Sequence, residues 1–222
     1  MTEIRGLYAI TDPVLIPDDR MAVACEAALR GGAHLLQYRD KDASPALRRQ
    51  RAATLAELCR RHGALFLVND DPALAREVNA AGVHMGQRDG AIAAARDLLG
   101  PDALIGISCH GEPALARQAA DAGADYVAMG RFHPSRTKPH APPASLQALE
   151  ETCRELSIPV VAIGGINPDN AGPLLRAGAS AIAVIHGLFA AGDIEARARE
   201  FTRIIESEGP LRPPDSRSGE AT

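Results

Sequence analysis

Aromatic residues are scarce in this sequence. Tryptophan is absent, and aromatic residues make up only 3% of the 222 positions. The core must therefore consist mainly of Ala, Val, Ile and Leu, and a hydrophobic share of 46% supplies enough residues for a large one. The length fits a single domain.

Long hydrophobic runs and paired cysteines are also missing. No apolar stretch approaches the roughly 20 residues that cross a membrane, and the first residues lack the layout of a secretory signal. The four cysteines stand far apart, without the CxxC spacing of a metal or redox pair: Cys25, Cys59, Cys109 and Cys153. We therefore expect a cytoplasmic protein that does not bind membranes and whose thiols are reduced and mostly buried.

Positive charge is limited as well. The formal net charge is −4, which argues against a broad basic face for nucleic acid and requires any basic site to be local. Lysine occurs only at Lys41 and Lys138, and every other cation is an arginine.

Short apolar runs alternate with Ala-, Leu- and Arg-rich stretches of helical character along almost the whole chain. The predicted strands are 7–11, 35–39, 65–69, 82–85, 104–108, 126–130, 160–164 and 181–185. A doubly wound sheet gives the same alternation, but eight units in so few residues, without a GxGxxG turn, favour a (β/α)8 TIM barrel. The barrel is predicted over 1–208 as a single domain, with 209–222 as a disordered tail rich in Pro, Ser, Arg and Gly.

Three predicted helices begin with a capping residue followed by proline, at Ser44, Asp71 and Asn167. Because barrel enzymes carry their chemistry where strands end, the polar residues at those points are the candidates for function.

The second predicted strand leads into Gln37, Arg39 and Lys41, which alternation places on one side of the chain. If Gln37 faces the barrel mouth, both cations face it too; a solvated strand end is the alternative.

The other lysine ends the segment Ser135, Arg136, Thr137 and Lys138 after the sixth strand. Its hydroxyls and cations suit phosphate oxygens, although an ordinary polar surface loop has the same composition.

Two carboxylates follow adjacent strands, Asp70 after the third and Asp89 after the fourth. They could converge on Mg²⁺, which takes one or two carboxylates together with substrate phosphates and water. Helix capping is the alternative: it accounts for Asp71, and Asp89 could cap a helix that starts near Ala91.

The remaining strand ends offer a hydroxyl and glycines. Ser108 ends the fifth strand. Its hydroxyl could lie at the barrel mouth, or the residue could only cap a helix or form a turn. Gly165 and the turn at 185–187 follow the last two strands, where barrels often bind phosphate, although Gly164 and Gly165 could form a purely structural turn. Two anion sites in one mouth would suit a reaction between a diphosphate and a phosphate-tagged nucleophile.

The sequence resembles the thiamine phosphate synthase family over nearly its whole length. The motifs that carry the resemblance are Gln37-x-Arg39-x-Lys41, Asn69-Asp70, Gly82-Val83-His84-x-Gly86-Gln87-x-Asp89, Pro134-Ser135-x-Thr137-Lys138 and Ile163-Gly164-Gly165-Ile166. The resemblance implies a Mg²⁺-dependent transferase that joins a pyrimidine diphosphate to a thiazole phosphate, releasing pyrophosphate.

The same resemblance implies a role for each matching residue. The pyrimidine diphosphate would be bound by Gln37, Tyr38, Arg39, Asp40, Lys41, Asn69, Ser108 and Lys138, of which Arg39, Lys41, Ser108 and Lys138 would act in catalysis. Asp70 and Asp89 would hold Mg²⁺. The thiazole phosphate would be bound by Ser135, Arg136, Thr137, Gly165, Ile185 and His186. Ser135 replaces the threonine usual in the family, and His186 replaces a serine.

Three other functions fit parts of the pattern. A thiazole tautomerase on a related barrel would need neither the Gln-x-Arg-x-Lys segment nor a metal pair, and both motifs are present. A phosphate-sugar isomerase would need a paired acid and base at strand ends, which the sequence does not offer. A non-catalytic binding protein would hold both phosphates without forming a product.

Overall fold

The computed structural model describes residues 3–134 and 142–209. Eight parallel strands close into a barrel in chain order, which confirms the predicted fold. The strands are β1 Gly6–Ile10, β2 Ala33–Tyr38, β3 Leu65–Asn69, β4 Gly82–Met85, β5 Leu104–Ser108, β6 Tyr126–Met129, β7 Val160–Ile163 and β8 Ala181–Val184. The predicted bounds are reproduced for β3, β4 and β5, and the other strands differ from them by one or two residues.

Helices surround the barrel. Within the described ranges they are α1 Met21–Arg30, α2 Pro45–His62, α3 Pro72–Glu77, α4 Ile92–Leu99, α5 Pro113–Asp121, α6 Leu146–Glu155, α7 Pro168–Arg176, α8 His186–Phe189 and α9 Ile194–Glu208, with a 3₁₀ turn at Asp18–Arg20. The extra short helix α8 directly follows β8. The helix α9 ends at the predicted domain boundary, and the predicted tail from 210 onward lies outside the described residues.

The three predicted caps are present. Ser44 accepts a hydrogen bond from the amide of Leu47, Asp71 from that of Leu74, and Asn167 from that of Asn170. These contacts satisfy amides in the first turn that have no partner within the helix. Asp71 is therefore used structurally, as its position before Pro72 predicted.

The hydrophobic core has two layers, because each strand is buried on both faces. The inner layer fills the barrel and includes Tyr8, Leu35, Leu67 and Tyr126. The outer layer packs the strands against the helices and contains Cys25, Cys59 and Cys109, three of the four free cysteines. Burial raises the pKa of Cys109 to about 12, so this thiol is held in its neutral form.

In the part of the chain that the structure describes, no helix combines the length and the hydrophobicity needed to span a membrane.

Gly106 in β5 leaves space for the ring of Tyr126 on β6. A Cβ atom at position 106 would lie 2.0 Å from the Tyr126 Cζ. We expect Gly106→Ala to lower the free energy of unfolding by about 1–3 kcal/mol, the usual cost of overpacking a core, as measured by denaturant titration. Gly192→Ala is the matched control, because nothing lies within 4 Å of its added carbon. Equal stability of the two variants would contradict this account of the inner layer.

Candidate active site

A cavity of about 440 Å³ opens at the carboxyl ends of the strands, and all eight strands contribute to its lining. This is the face on which barrel enzymes carry their active sites, and the volume is within the range of small-molecule sites. The charged lining residues among those described are Arg39, Lys41, Asp70, Arg88, Asp89 and Arg131. Positive charge is thus concentrated in this cavity although the chain as a whole is negative.

The end of β2 supplies one wall of the cavity. Gln37, Arg39 and Lys41 all line it, as the alternation of an extended chain predicts. The backbone amide of Arg39 donates to the Thr11 hydroxyl at 2.8 Å, which ties this segment to the end of β1. Within the described residues the Arg39 guanidinium forms no ion pair, so it can take an anion from solution.

Tyr38 and Asp40 point the other way. Tyr38 belongs to the outer core layer. The carboxylate of Asp40 is buried against the Arg51 guanidinium on α2, and it also accepts hydrogen bonds from the amides of Asp42 and Ala43. Neither residue lines the cavity, because the alternation that turns residues 37, 39 and 41 inward turns these two outward. Their side chains therefore support the strand end from outside the cavity, and the substrate contact predicted for these two residues stays a prediction.

Asp70 follows β3 at the rim of the cavity. Its backbone has a φ of 61°, and its amide donates to the carbonyl of His84 at 2.8 Å, which joins the ends of β3 and β4. The Lys41 ammonium lies 2.7 Å from the Asp70 carboxylate. Burial opposes ionisation of this carboxyl, but the ammonium and neighbouring hydrogen bonds outweigh it and hold the pKa of Asp70 below its ordinary value.

Asp89 approaches Asp70 from the loop after β4. Both side chains line the cavity, and the Asp89 carboxyl is one of the neighbouring groups that lower the pKa of Asp70. Asp89 also accepts a hydrogen bond from the amide of Gly86 at 2.8 Å. The helix-capping alternative for Asp89 is wrong, because α4 starts at Ile92 without a side-chain cap. The two carboxylates thus lie in one cavity, as their positions after adjacent strands predicted, and their role as metal ligands stays a prediction.

Asn69 and Ser108 complete this half of the cavity, each at the last position of its strand. The side chain of Gln87 donates to the backbone carbonyl of Ser108 at 2.8 Å, which fastens the loop after β4 to the end of β5. Ser108 caps no helix among those described, since α5 begins after Glu112 without a side-chain cap.

The opposite half is formed by the loops after β7 and β8. Gly165, Ile185 and His186 line the cavity there, with Gly165 at a φ of 68°. A Cβ at Gly165 would lie 2.5 Å from the carbonyl oxygen of Pro134, so only glycine allows the loop after β6 to come this close. The predicted phosphate segment begins directly after Pro134. Ser135, Arg136, Thr137 and Lys138 themselves lie outside the described residues.

The floor of the cavity holds a chain of hydrogen bonds that sequence reasoning missed. Gln37 Nε2 donates to Tyr8 Oη at 2.5 Å, and Tyr8 Oη lies 3.0 Å from Tyr126 Oη. His84 Nδ1 lies 2.9 Å from Tyr126 Oη, and its Nε2 lies 2.9 Å from Ser108 Oγ. We call Tyr8, Tyr126 and His84 the tyrosine relay. The sequence signal that could have indicated these hydrogen bonds was the polar side chain of His84 within a buried strand.

With this geometry in place, the comparisons with known proteins become informative. The profile of a family described as thiamine monophosphate synthase matches residues 7–188, most of the chain. This chain belongs to the thiamine monophosphate synthase family. The resemblance inferred from the motifs is thereby confirmed.

Relatives support the assignment along nearly their full lengths. A thiamine-phosphate synthase of Alcanivorax borkumensis is 60% identical over 207 residues, which cover 92% of this chain and 95% of the relative. A thiamine-phosphate synthase of Marinobacter nauticus is 52% identical over 213 residues, which cover 95% of this chain and 96% of the relative. The structure of a thiamine phosphate pyrophosphorylase from Pyrococcus furiosus superposes with a TM-score of 0.84 at 36% identity, covering 91% of this chain and 96% of that one. These relatives support a transferase activity, that of thiamine-phosphate synthase, for this barrel.

Proposed function

We infer that this chain is a transferase that condenses 4-amino-2-methyl-5-(diphosphooxymethyl)pyrimidine with 4-methyl-5-(2-phosphooxyethyl)thiazole. The products are thiamine phosphate and pyrophosphate. The observation that carries the inference is one cavity, in a member of this family, whose lining brings together Asp70, Asp89, Lys41 and Arg39. Two carboxylates and two cations in one place suit a metal-bound diphosphate.

The donor set of the cavity fits Mg²⁺. The ion prefers oxygen ligands and commonly takes one or two carboxylates, with phosphate oxygens and water completing its shell. Asp70 and Asp89 would hold it. Bound there, Mg²⁺ supplies positive charge that stabilises a departing diphosphate.

The protein's own cations act on the leaving group. The bond between the pyrimidine methylene carbon and the diphosphate oxygen breaks, and its electron pair leaves with pyrophosphate. Arg39 and Lys41 stabilise the developing negative charge, together with Lys138 from the predicted segment. The electron-rich aminopyrimidine supports the resulting benzyl-like cation. No general base is required, because no proton is removed in this step.

The second substrate is positioned by its phosphate. Gly165 and the backbone at Ile185 and His186 lie across the cavity from the carboxylates and offer N–H groups to an anion. The nitrogen of the thiazole then donates its lone pair to the methylene carbon, forming the new C–N bond and a thiazolium. Positioning and electrostatics account for the rate enhancement in this proposal.

The substrates also suggest a location. Both carry phosphate charges that do not cross a lipid bilayer unaided, so we place the reaction in the cytoplasm. The partners of the protein are these small molecules, and neither nucleic acid nor membrane is required for the chemistry.

The activity can be tested directly by incubating the protein with both substrates and Mg²⁺ and analysing the mixture by mass spectrometry. We expect thiamine phosphate and pyrophosphate in equal amounts, and no product in EDTA until excess Mg²⁺ is restored. Conversion of a thiazole phosphate without the pyrimidine would favour a tautomerase. Binding of both substrates without any product would show a non-catalytic protein.

A further inference from the structure

The tyrosine relay connects two residues of the cavity wall, Gln37 and Ser108, through the interior of the barrel. Tyr8 and Tyr126 are almost completely buried, at 1% and 0% exposure. Buried hydroxyls and ring nitrogens must be hydrogen-bonded, and each phenol has only one proton to donate. The direction of every bond in such a chain therefore depends on the direction of its neighbours.

The direction follows from the Gln37 end. Tyr8 accepts an N–H from Gln37, and Tyr126 is its other hydrogen-bond partner within the described residues. Of the two directions that the bond between the phenols allows, the one that gives the Tyr8 proton an acceptor within the relay has Tyr8 donating to the Tyr126 oxygen. Burial raises the pKa of both tyrosines, so that each hydroxyl keeps its proton.

The direction continues to the Ser108 end. Since Tyr126 accepts from Tyr8, its own proton is donated to Nδ1 of His84. An imidazole whose Nδ1 accepts a hydrogen bond carries its proton on Nε2, and this N–H faces the Ser108 oxygen at 2.9 Å. The hydroxyl proton of Ser108 is then left for the cavity, as is the side-chain oxygen of Gln37.

We propose that Tyr8, Tyr126 and His84 are positioning residues that fix a hydrogen-bond acceptor at Gln37 and a donor at Ser108. An aminopyrimidine presents the complement, an amino group that donates and a ring nitrogen that accepts. The relay acts on this ring through Gln37 and Ser108, so that its reactive methylene group is held toward the diphosphate site. This role rests on the proposed function, because the ligand is the pyrimidine substrate.

The first test determines the direction of the hydrogen bonds in the tyrosine relay and needs no substrate. In protein labelled with ¹⁵N-histidine, the His84 signal is assigned among the seven histidines by its loss in His84→Gln. We expect the tautomer protonated on Nε2 in the wild type, and a mixture of tautomers in Tyr126→Phe, which removes one donor. A wild-type proton on Nδ1 means that the chain runs in the opposite direction and overturns the proposal, as does a tautomer that Tyr126→Phe leaves unchanged.

The second test asks whether the relay acts through Ser108. We expect Tyr126→Phe to lower kcat/KM for the pyrimidine diphosphate about tenfold, the scale of one well-placed hydrogen bond, and to leave the KM of the thiazole phosphate unchanged. Adding Tyr126→Phe to Ser108→Ala should then change kcat/KM by less than about twofold, since the group that Tyr126 orients is already gone. If the effects of the two single substitutions on kcat/KM instead multiply in the double variant, Tyr126→Phe acts independently of Ser108 through general damage, and the proposal is overturned.

The two tests separate this inference from the function on which it rests. Wild-type protein that forms no thiamine phosphate would refute the proposed function, and the tautomer measurement would then decide on the relay alone. Circular dichroism melting of each variant identifies any that fail to fold. Tyr8→Phe serves as a second relay variant, with the same expected loss for the pyrimidine substrate only.

Discussion

Replacing Lys41 by methionine is expected to lower kcat by about 10²–10³-fold, the scale on which one charge-stabilising donor contributes to a transition state. Methionine keeps much of the length and apolar character of the side chain but has no charge to offer the departing pyrophosphate. Steady-state assays of pyrophosphate release measure the effect. Lys41→Arg, which keeps the positive charge, should recover activity to within about tenfold of the wild type.

Arg60→Met provides the matched control for this variant. Arg60 is an exposed cation on α2 that pairs with Glu57 and does not line the cavity. Exposed pairs of this kind contribute little to stability, so its kcat and melting temperature should match those of the wild type. If Lys41→Met kept wild-type turnover while still binding both substrates, the leaving-group role of this lysine would be wrong.

The second large effect is expected from the paired carboxylates. Asp89→Asn should raise the Mg²⁺ concentration needed for half-maximal rate at least tenfold, and should lower kcat/KM on the order of 10²-fold, since metal stabilisation of charge is worth several kcal/mol. The amide of asparagine can still accept the hydrogen bond from Gly86, so the loop geometry is preserved. Asp70→Asn should behave in the same way. Mg²⁺ titrations of the initial rate distinguish a weaker metal site from a slower reaction.

Asp71→Asn is the control for Asp70→Asn, one residue away along the chain. Asp71 does not line the cavity, and asparagine caps a helix about as well as aspartate. The variant loses the ion pair with Arg48 and should show a small drop in melting temperature at an unchanged Mg²⁺ requirement. The same metal dependence in both asparagine variants would argue against a metal site at Asp70.

Much of the fold could be predicted because its signals are local. Apolar runs give the strands, and capping residues such as Ser44 and Asn167 give the helix starts. The site at the strand ends follows from the barrel itself, so the placement of Gln37, Arg39 and Lys41 required only the alternation of an extended strand. The same alternation places the side chains of Tyr38 and Asp40 outside the cavity, whereas the family resemblance assigns substrate binding to every residue of the segment.

The tyrosine relay was beyond sequence reasoning for a physical reason. Tyr8 and Tyr126 are 118 positions apart, and their hydroxyls meet only because the barrel closes and both rings point to its interior. The contact further depends on Gly106, whose missing side chain leaves room for the ring of Tyr126. Such a meeting is set by the stagger of strands around the closed barrel, which no local pattern encodes.

The ion pair between Lys41 and Asp70 has a consequence for selectivity among anions. A free anion that approaches Lys41 must compete with a carboxylate already held at 2.7 Å. In the proposed site, a diphosphate that arrives with its own divalent cation would face no such competition, because Asp70 would ligate the metal while Lys41 would contact the phosphate. Such an exchange of partners would conserve the number of opposite-charge contacts, and it would disfavour phosphates that arrive without a metal.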